Sequence, residues 1–293
     1  MAKERALSDF LMATCWTTAG DAAPDRPDLR SSVSLRDRVE AAAAAGFRGF
    51  GLHSVDLPEA ERSYGMSGIR SLFDDNGITH VELEAIPAWW SGNQAGTDTY
   101  EVRRSLLRAA EVVNVRHIKV TPDDSGQSWD FGRWAREFGC LAAQAWDCGA
   151  RLGIEFMPWA NINTVDVALR LVEEAGHEGG GVVIDVWHTE REGTAPARLS
   201  QLPAERIVGV ELNDAGSGVV GSMFEDTVHR RRYCGEGSFQ LVDFVNALRR
   251  AGWDGPWGVE ILSDEHRSKA PAAAVQTAYD TGARLLEHAI HRG

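Results

Sequence analysis

Eight short apolar segments alternate with longer helical segments along this chain, and that order restricts the folds open to it. The strand-like segments are residues 10–16, 47–53, 78–84, 116–120, 151–156, 181–185, 207–211 and 257–262. Between them, apolar residues recur every three or four positions, which is the periodicity of an amphipathic helix. A helix after nearly every strand predicts parallel strands joined by helical crossovers.

Several of the helical segments carry end signals. Ser34 and Asp37 have capping-box spacing at the start of SLRDRVEAAAAAG, which ends at Gly46. Segments 163–176 and 238–252 also close on glycine, the residue that most readily adopts the left-handed conformation of a helix C-cap. These signals predict helices that end at the glycines.

Eight such units in 293 residues predict a single (β/α)8 TIM barrel domain spanning residues 1–293. The alternative is a doubly wound open sheet, which usually has fewer strands and a glycine-rich phosphate-binding turn after the first. Here TCWTTAGDAAP follows the first strand and lacks that pattern. No linker or change of composition divides the chain into two domains.

The charge of the chain argues against a nucleic-acid partner. With 43 Asp and Glu against 30 Lys and Arg, the formal net charge is −13, so the chain as a whole repels a phosphate backbone. It has no charged-then-apolar leader and no run of eighteen apolar residues. We therefore expect no membrane association and a cytoplasmic location.

An acidic residue lies near the carboxyl end of each of the last four strands: Glu155, Asp185, Glu211 and Glu260. In a barrel, the carboxyl ends of all strands meet on the face that carries active sites, so the four side chains are expected to converge. Converging carboxylates repel one another unless a cation joins them. An all-oxygen ligand set favours Mn²⁺ or Mg²⁺.

The residues alone leave two alternatives open. The acids could pair with basic residues of neighbouring strands, although those bases lie mostly at the strand starts, the opposite end of the barrel. The register near Glu211 could also shift, which would bring Asp214 into its place. The bases in question are Arg48, Arg116, Lys119, Arg151 and Arg206.

Two connections are long for a compact domain, residues 86–97 and 212–237. The first contains Trp89 and Trp90, and the second holds many polar groups. Both follow strand carboxyl ends, where long loops are usually functional.

The segments IEFMP, VIDVWH, VELND and GVEIL, in this order and spacing, resemble the xylose isomerase-like TIM barrel superfamily of sugar phosphate isomerases and epimerases. The resemblance extends over residues 10–289. It implies one divalent metal held by Glu, Asp, His and Glu, which correspond here to Glu155, Asp185, Glu211 and Glu260. Glu211 stands where histidine is usual. The more anionic, harder ligand set favours Mn²⁺, with Mg²⁺ and Co²⁺ as alternatives.

The resemblance also implies an activity. A metal that bridges a carbonyl and an adjacent hydroxyl oxygen acidifies the intervening C–H bond and stabilises an enediolate. In the relatives the first and last glutamates, here Glu155 and Glu260, act as acid and base. We expect an isomerase or epimerase of a sugar, keto-sugar or cyclic polyol. Loss of a neighbouring hydroxyl from the same enolate would instead make a lyase, such as an inosose or dehydroshikimate dehydratase.

Six further residues are candidates for substrate contact. His188 follows Asp185 in a D-x-x-H pattern whose histidine contacts substrate in the ketose epimerase relatives. Glu84 shares a strand face with Glu82, so both or neither should line the barrel. Lys119 has either an anion-binding or a surface role. The other candidates are His53, Trp90 and Arg232, the last representing residues 230–232, of which one is expected to face inward.

Two hypotheses from other classes remain. Asp226 and His229 resemble extra metal ligands of the AP endonucleases, but those enzymes need three metals and several histidines at early strand mouths, where His53 alone is clear. The other hypothesis is a barrel that has lost catalysis and serves as a binding partner. The expected partner is a small carbohydrate or polyol, and the resemblance is compatible with a homodimer or homotetramer.

Overall fold

A computed structural model describes residues 10–92 and 94–290 of the chain. Within these ranges, eight parallel strands form a closed barrel in sequence order. The predicted (β/α)8 barrel is confirmed and the open sheet is excluded, because β1 pairs with both β2 and β8. The strands are β1 (Leu11–Ala13), β2 (Gly49–His53), β3 (His80–Glu84), β4 (Val115–Val120), β5 (Arg151–Glu155), β6 (Gly180–Asp185), β7 (Ile207–Leu212) and β8 (Trp257–Val259).

Helices surround the barrel and also occupy the loops at its carboxyl-terminal face. In the described ranges they are α1 (Cys15–Thr18), α2 (Leu35–Ala45), α3 (Leu57–Asp75), α4 (Asp98–Val113), α5 (Phe131–Asp147), α6 (Val165–Ala175), α7 (Val186–Glu192), α8 (Pro196–Leu199), α9 (Met223–His229), α10 (Leu241–Ala251), α11 (Asp264–Arg267) and α12 (Pro271–Ile290). None of them is long and apolar enough to cross a membrane.

The predicted helix ends are confirmed. The Ser34 hydroxyl accepts a hydrogen bond from the Asp37 amide at the start of α2. Gly46, Gly176 and Gly252 follow α2, α6 and α10 with φ of 113°, 70° and 98°. Residues other than glycine rarely adopt this left-handed backbone conformation, which explains why glycine follows these helices.

The first and last strands are shorter than predicted, and at β8 a side chain of α1 takes over the hydrogen bonds. Thr17 Oγ1 donates to the carbonyl of Val259 at 2.7 Å and accepts from the Ile261 amide at 2.9 Å. Strand β8 therefore stops at Val259. Glu260 lies one residue beyond it, where its amide still donates to the Leu212 carbonyl at 3.0 Å.

The long connection 212–237 contains a helix that the apolar periodicity did not predict. Helix α9 begins with a capping box in which Ser222 and Glu225 exchange hydrogen bonds. The S-x-x-E spacing was therefore a readable signal. The connection 86–97 contains a 3₁₀ turn at Trp89–Ser91.

Alternate residues of the strands face two environments. In β4, Ile118 and Val120 belong to the apolar core between the barrel and its helices. His117 and Lys119, which alternate with them, contact acidic side chains instead. The barrel interior near its carboxyl-terminal end is thus polar and charged, and this region holds the candidate site.

Candidate metal centre

The four predicted carboxylates meet at the carboxyl-terminal end of the barrel. One ligand atom from each of Glu155, Asp185, Glu211 and Glu260 lies within 4.8 Å of the others. Each of the four residues is at most 3% exposed. The register of β6 and β7 places Asp185 directly beside Glu211. Glu211, rather than its rival Asp214, belongs to this group.

Asp214 has a different environment within the described residues. Its oxygens accept hydrogen bonds from the backbone amides of Ala215, Gly235, Gly237 and Phe239. A carboxylate held by four backbone donors organises the loop before α10.

Two cations of the chain itself lie among the four carboxylates. Lys119 Nζ is 2.7 Å from Glu211, 3.2 Å from Glu260 and 3.6 Å from Glu155. It is also 3.0 Å from Glu84. The side chain is 1% exposed, so the surface alternative for Lys119 is wrong.

The second cation is Arg231. Its Nη1 lies 2.5 Å from Asp185 Oδ2 and 2.9 Å from Glu260 Oε2, and its Nε donates to Thr227 Oγ1. Arg232, the residue selected from the sequence, is instead exposed and donates to the carbonyl of Glu236. The choice of Arg232 is corrected to Arg231, because neighbouring residues of this extended segment point to opposite sides.

The hypothesis of ion pairing is therefore partly correct: Lys119 was among its candidate bases, whereas Arg231 was not. Lys119 lies near the carboxyl end of β4, and Arg231 comes from the connection after β7 rather than from a strand. Strand composition alone could not place a loop arginine inside the barrel.

Burial and mutual repulsion set the ionisation of these acids. Burial and the neighbouring Glu260 raise the pKa of Glu211 well above its ordinary value. Burial also raises the pKa of Glu260, to about 8, although Lys119 and Arg231 oppose the rise. For Glu155, burial acts in the same direction, but the Lys119 ammonium and His188 hold its pKa below the ordinary value.

The ammonium of Lys119 stays protonated in this environment. Burial disfavours its charge, but Glu155, Glu211, Glu260 and Glu84 raise its pKa well above the ordinary value. The cluster is consequently a set of acidic groups bridged by two positive charges of the chain itself.

His188 joins the same cluster. Its Nε2 is 3.3 Å from Glu155 Oε1, and His188 forms a second group of potential ligands with Glu155 and Asp185. Its ring also contacts Trp159 and Trp187, with centroids 5.5 and 5.3 Å away.

These aromatic residues were not predicted from the sequence. Trp159 lies in the loop after β5 and contacts both Trp187 and Phe224. The indole nitrogens of Trp159 and Trp187 are buried without a hydrogen-bond partner. They form an aromatic wall beside His188 with unused donors.

The predicted substrate contacts on the early strands lie at the same end of the barrel. His53 pairs in register with Glu84 across β2 and β3. Burial lowers the pKa of His53 to about 4, so its imidazole is neutral at pH 7. Its Nδ1 accepts from the Val55 amide, which leaves Nε2 as the donor.

Glu82 and Glu84 both point into the barrel, as strand alternation required. Glu84 contacts Lys119, whereas Glu82 lies deeper, 2.7 Å from His117 Nε2. Trp90 lies farther out: its ring stacks on Trp134 of α5 with centroids 4.3 Å apart. That contact places Trp90 in helix packing.

The residues present fit a divalent cation. The potential ligands are carboxylate oxygens, with an imidazole nearby. Mn²⁺ and related divalent ions bind to ligands of these types. Buried Glu211 Oε2 accepts no hydrogen bond. Unsatisfied buried carboxylate oxygens are costly, and a metal ion would satisfy them.

The additional ligands of a nuclease do not join this centre. Asp226 binds Arg191 at 2.9 Å, and His229 contacts Asp25 and Asp264. Across residues 10–92 and 94–290, the groups able to hold a metal contain only Glu155, Asp185, His188, Glu211 and Glu260.

Comparison with known proteins agrees with this architecture. Residues 39–287 match the family model described as xylose isomerase-like TIM barrel. The chain belongs to the xylose isomerase-like TIM barrel family. The predicted resemblance is thereby confirmed.

Two named proteins are similar in sequence to this chain. A 3-dehydroshikimate dehydratase of Pseudomonas aeruginosa is 27% identical over 254 residues, which cover 83% of this chain and 38% of that protein. This chain therefore spans about two fifths of that relative's length. An inosose isomerase of Halalkalibacterium halodurans is 22% identical over 268 residues, which cover 88% of this chain and 93% of that protein.

A solved structure of an IolI protein with a bound zinc atom shares the fold of this xylose isomerase-like barrel. Its TM-score is 0.79 at 18% identity, with 95% of this chain and 98% of that chain covered.

Proposed function

We propose that this chain is a divalent-metal-dependent isomerase or epimerase acting on a sugar, a keto-sugar or a cyclic polyol. The observation that carries the proposal is the convergence of Glu155, Asp185, Glu211 and Glu260 from four adjoining strands. The inosose isomerase among the relatives supports a reaction on a cyclic polyol. The zinc atom in the IolI structure supports a divalent ion, for which we propose Mn²⁺ because all four proposed ligands are oxygens.

A divalent ion held by these carboxylates would acidify the C–H bond beside a substrate carbonyl. The protein's own groups would move the proton. Glu155, whose pKa is held low, supplies an ionised carboxylate as the base, and His188 lies beside it at 3.3 Å. Glu260, which lies across the cluster at the end of the last strand, is the proposed acid.

Other side chains would bind and orient the substrate. Neutral His53 offers an Nε2 donor to a hydroxyl group, and the indole nitrogens of Trp159 and Trp187 have no partner inside the protein. Flat aromatic rings beside donors suit a ring-shaped polyol. We propose these contacts in addition to those of His188, Glu84, Lys119 and Arg231.

A dehydratase is the second candidate, because the sequence relatives include a 3-dehydroshikimate dehydratase at 27% identity. Elimination needs the same base at Glu155 and an acid to protonate the departing hydroxyl, for which Glu260 is again available. The two reactions differ only in what happens after the proton is removed.

Proton exchange distinguishes these reactions. Protein loaded with Mn²⁺ would be incubated in D₂O with keto-sugars and keto-polyols, and NMR would follow the proton beside the carbonyl. Exchange without loss of water supports an isomerase or epimerase, whereas an unsaturated product supports a dehydratase. Absence of exchange with every substrate contradicts both.

Two variants serve as controls in this assay. Glu155→Gln should retain its fold and abolish exchange because the base is lost. Arg232→Met, which changes an exposed arginine, should exchange at the wild-type rate.

The single-domain span of residues 1–293, a cytoplasmic location and a homodimer or homotetramer stay predictions.

A further inference from the structure

The ammonium of Lys119 lies at the centre of the carboxylate cluster. It contacts Glu211, Glu260 and Glu155 at 2.7, 3.2 and 3.6 Å, and these are three of the four proposed metal ligands. The side chain is 1% exposed. It reaches this position because β4 alternates, so that Lys119 points inward between Ile118 and Val120, which face the core.

The fourth proposed ligand, Asp185, pairs with the other buried cation, Arg231. Arg231 Nη1 lies 2.5 Å from Asp185 and 2.9 Å from Glu260. Lys119 and Arg231 together contribute two positive charges, equal to the charge of one divalent ion. Without them, the buried carboxylates would repel one another.

Lys119 also has a partner outside the proposed ligand set. Glu84 Oε2 lies 3.0 Å from its Nζ, and Glu84 does not belong to either group of potential ligands. An ammonium displaced from the cluster could therefore stay paired with Glu84 without leaving the barrel.

We propose that Lys119 is the resident counter-ion of this cluster, and that a divalent ion binds by displacing its ammonium from Glu155, Glu211 and Glu260 toward Glu84. This inference rests on the proposed metal site. It explains how five buried acids fold together before metal arrives. It also means that Lys119 weakens metal binding, since ammonium and metal compete for the same oxygens.

The test compares Lys119→Met, which keeps the length of the side chain and removes its charge, with wild-type protein. In isothermal titration, the variant should bind Mn²⁺ at least about ten-fold more tightly than wild type. In a chelator, Lys119→Met should melt at a lower temperature than wild type, and Mn²⁺ should raise its melting temperature more. Lys269→Met, which removes a lysine of a surface ion pair with Glu265, should bind Mn²⁺ as wild type does.

A second variant covers the case in which Lys119→Met fails to fold. Glu84→Gln removes the charge that would hold the displaced ammonium, so it should bind Mn²⁺ about three-fold more weakly, or worse. Equal or tighter binding by Glu84→Gln, or equal or weaker binding by a folded Lys119→Met, overturns the inference.

Failure of this inference is distinguishable from failure of the proposed function. If wild type and Lys119→Met bind Mn²⁺ equally well, the displacement is wrong and the metal-dependent function stands. If Lys119→Met alone binds Mn²⁺, the ammonium blocks the site in wild type, so both the displacement and the metal-dependent function are wrong. If neither binds, both are wrong.

Discussion

At the end of β6, the carboxylate of Asp185 starts a helix and neutralises an arginine at the same time. Its Oδ1 accepts from the Trp187 amide at 2.5 Å, which caps α7, and its Oδ2 accepts from Arg231 at 2.5 Å. Asn213 Nδ2 donates to both oxygens. These four contacts fill the acceptor sites of a carboxylate. An ion that binds Asp185 must therefore replace one of them.

Replacement of Arg231 by methionine should destabilise the protein more than the same change next to it. Arg231→Met leaves Asp185 and Glu260 without their buried partner, so we expect a loss of about 3 kcal/mol in the free energy of unfolding. Arg232→Met changes an exposed side chain and should cost at most about 0.5 kcal/mol. Urea unfolding of both variants in a chelator measures the difference. Equal losses would contradict the buried role of Arg231.

At the scale of elements, His266 of α11 ties together three segments near the barrel mouth. Its Nε2 lies 3.0 Å from the carbonyl of Thr17 in α1, and its Nδ1 lies 3.0 Å from the hydroxyl of Tyr233. A carbonyl only accepts, so Nε2 carries the hydrogen. Burial lowers the pKa of His266 from 6.5 to about 4, so its imidazole is neutral at pH 7 and Nδ1 accepts from the hydroxyl.

This shift predicts a loss of stability in acid. An unfolded chain takes up a proton at this histidine below pH 6.5, whereas the folded protein does so only near pH 4, so acidification across this window favours unfolding. Between pH 7 and pH 5 the contribution of His266 is about 2 kcal/mol. From pH 7 to pH 5, the free energy of unfolding of His266→Gln should therefore fall by about 2 kcal/mol less than that of wild type. Urea unfolding of both proteins at pH 7 and at pH 5 measures the difference. An equal fall in wild type and variant would contradict a neutral, buried His266.

On the scale of the whole molecule, closure of the barrel converts separated charges into one cluster. Glu84, Lys119, Glu155, Glu211 and Glu260 come from five strands or strand ends spread over 177 residues of the sequence. They lie together because β8 returns to pair with β1. A divalent ion that joins the carboxylates of Glu155, Glu211 and Glu260 would link three of these strands directly.

Binding of Mn²⁺ should therefore stabilise the entire barrel against unfolding. At a free Mn²⁺ concentration about 100 times the dissociation constant, the gain should be about 2.7 kcal/mol. Asp185→Asn lowers the charge of one ligand and should remove most of that gain. Thermal unfolding of both proteins, with Mn²⁺ and with chelator, measures it. If the variant gained as much as wild type, the ion would be bound elsewhere.

Much of the fold followed from local pattern in the sequence. Strand and helix periodicity predicted eight βα units, and the glycines after α2, α6 and α10 marked their ends, because each signal depends on neighbours a few residues away. The strand ends near Glu155, Asp185, Glu211 and Glu260 could be located in the same way. Helix α9 was missed, although its capping residues Ser222 and Glu225 were readable.

The sequence by itself determined that acids lie at the ends of four adjoining strands, because strand period and barrel order are enough to align them. Only the tertiary structure decided which positive charges meet those acids. Arg231 rather than Arg232 faces inward because of the path of the loop after β7, and Lys119 reaches the acids across the barrel. Contacts of this kind join residues far apart in the chain, so no local pattern encodes them.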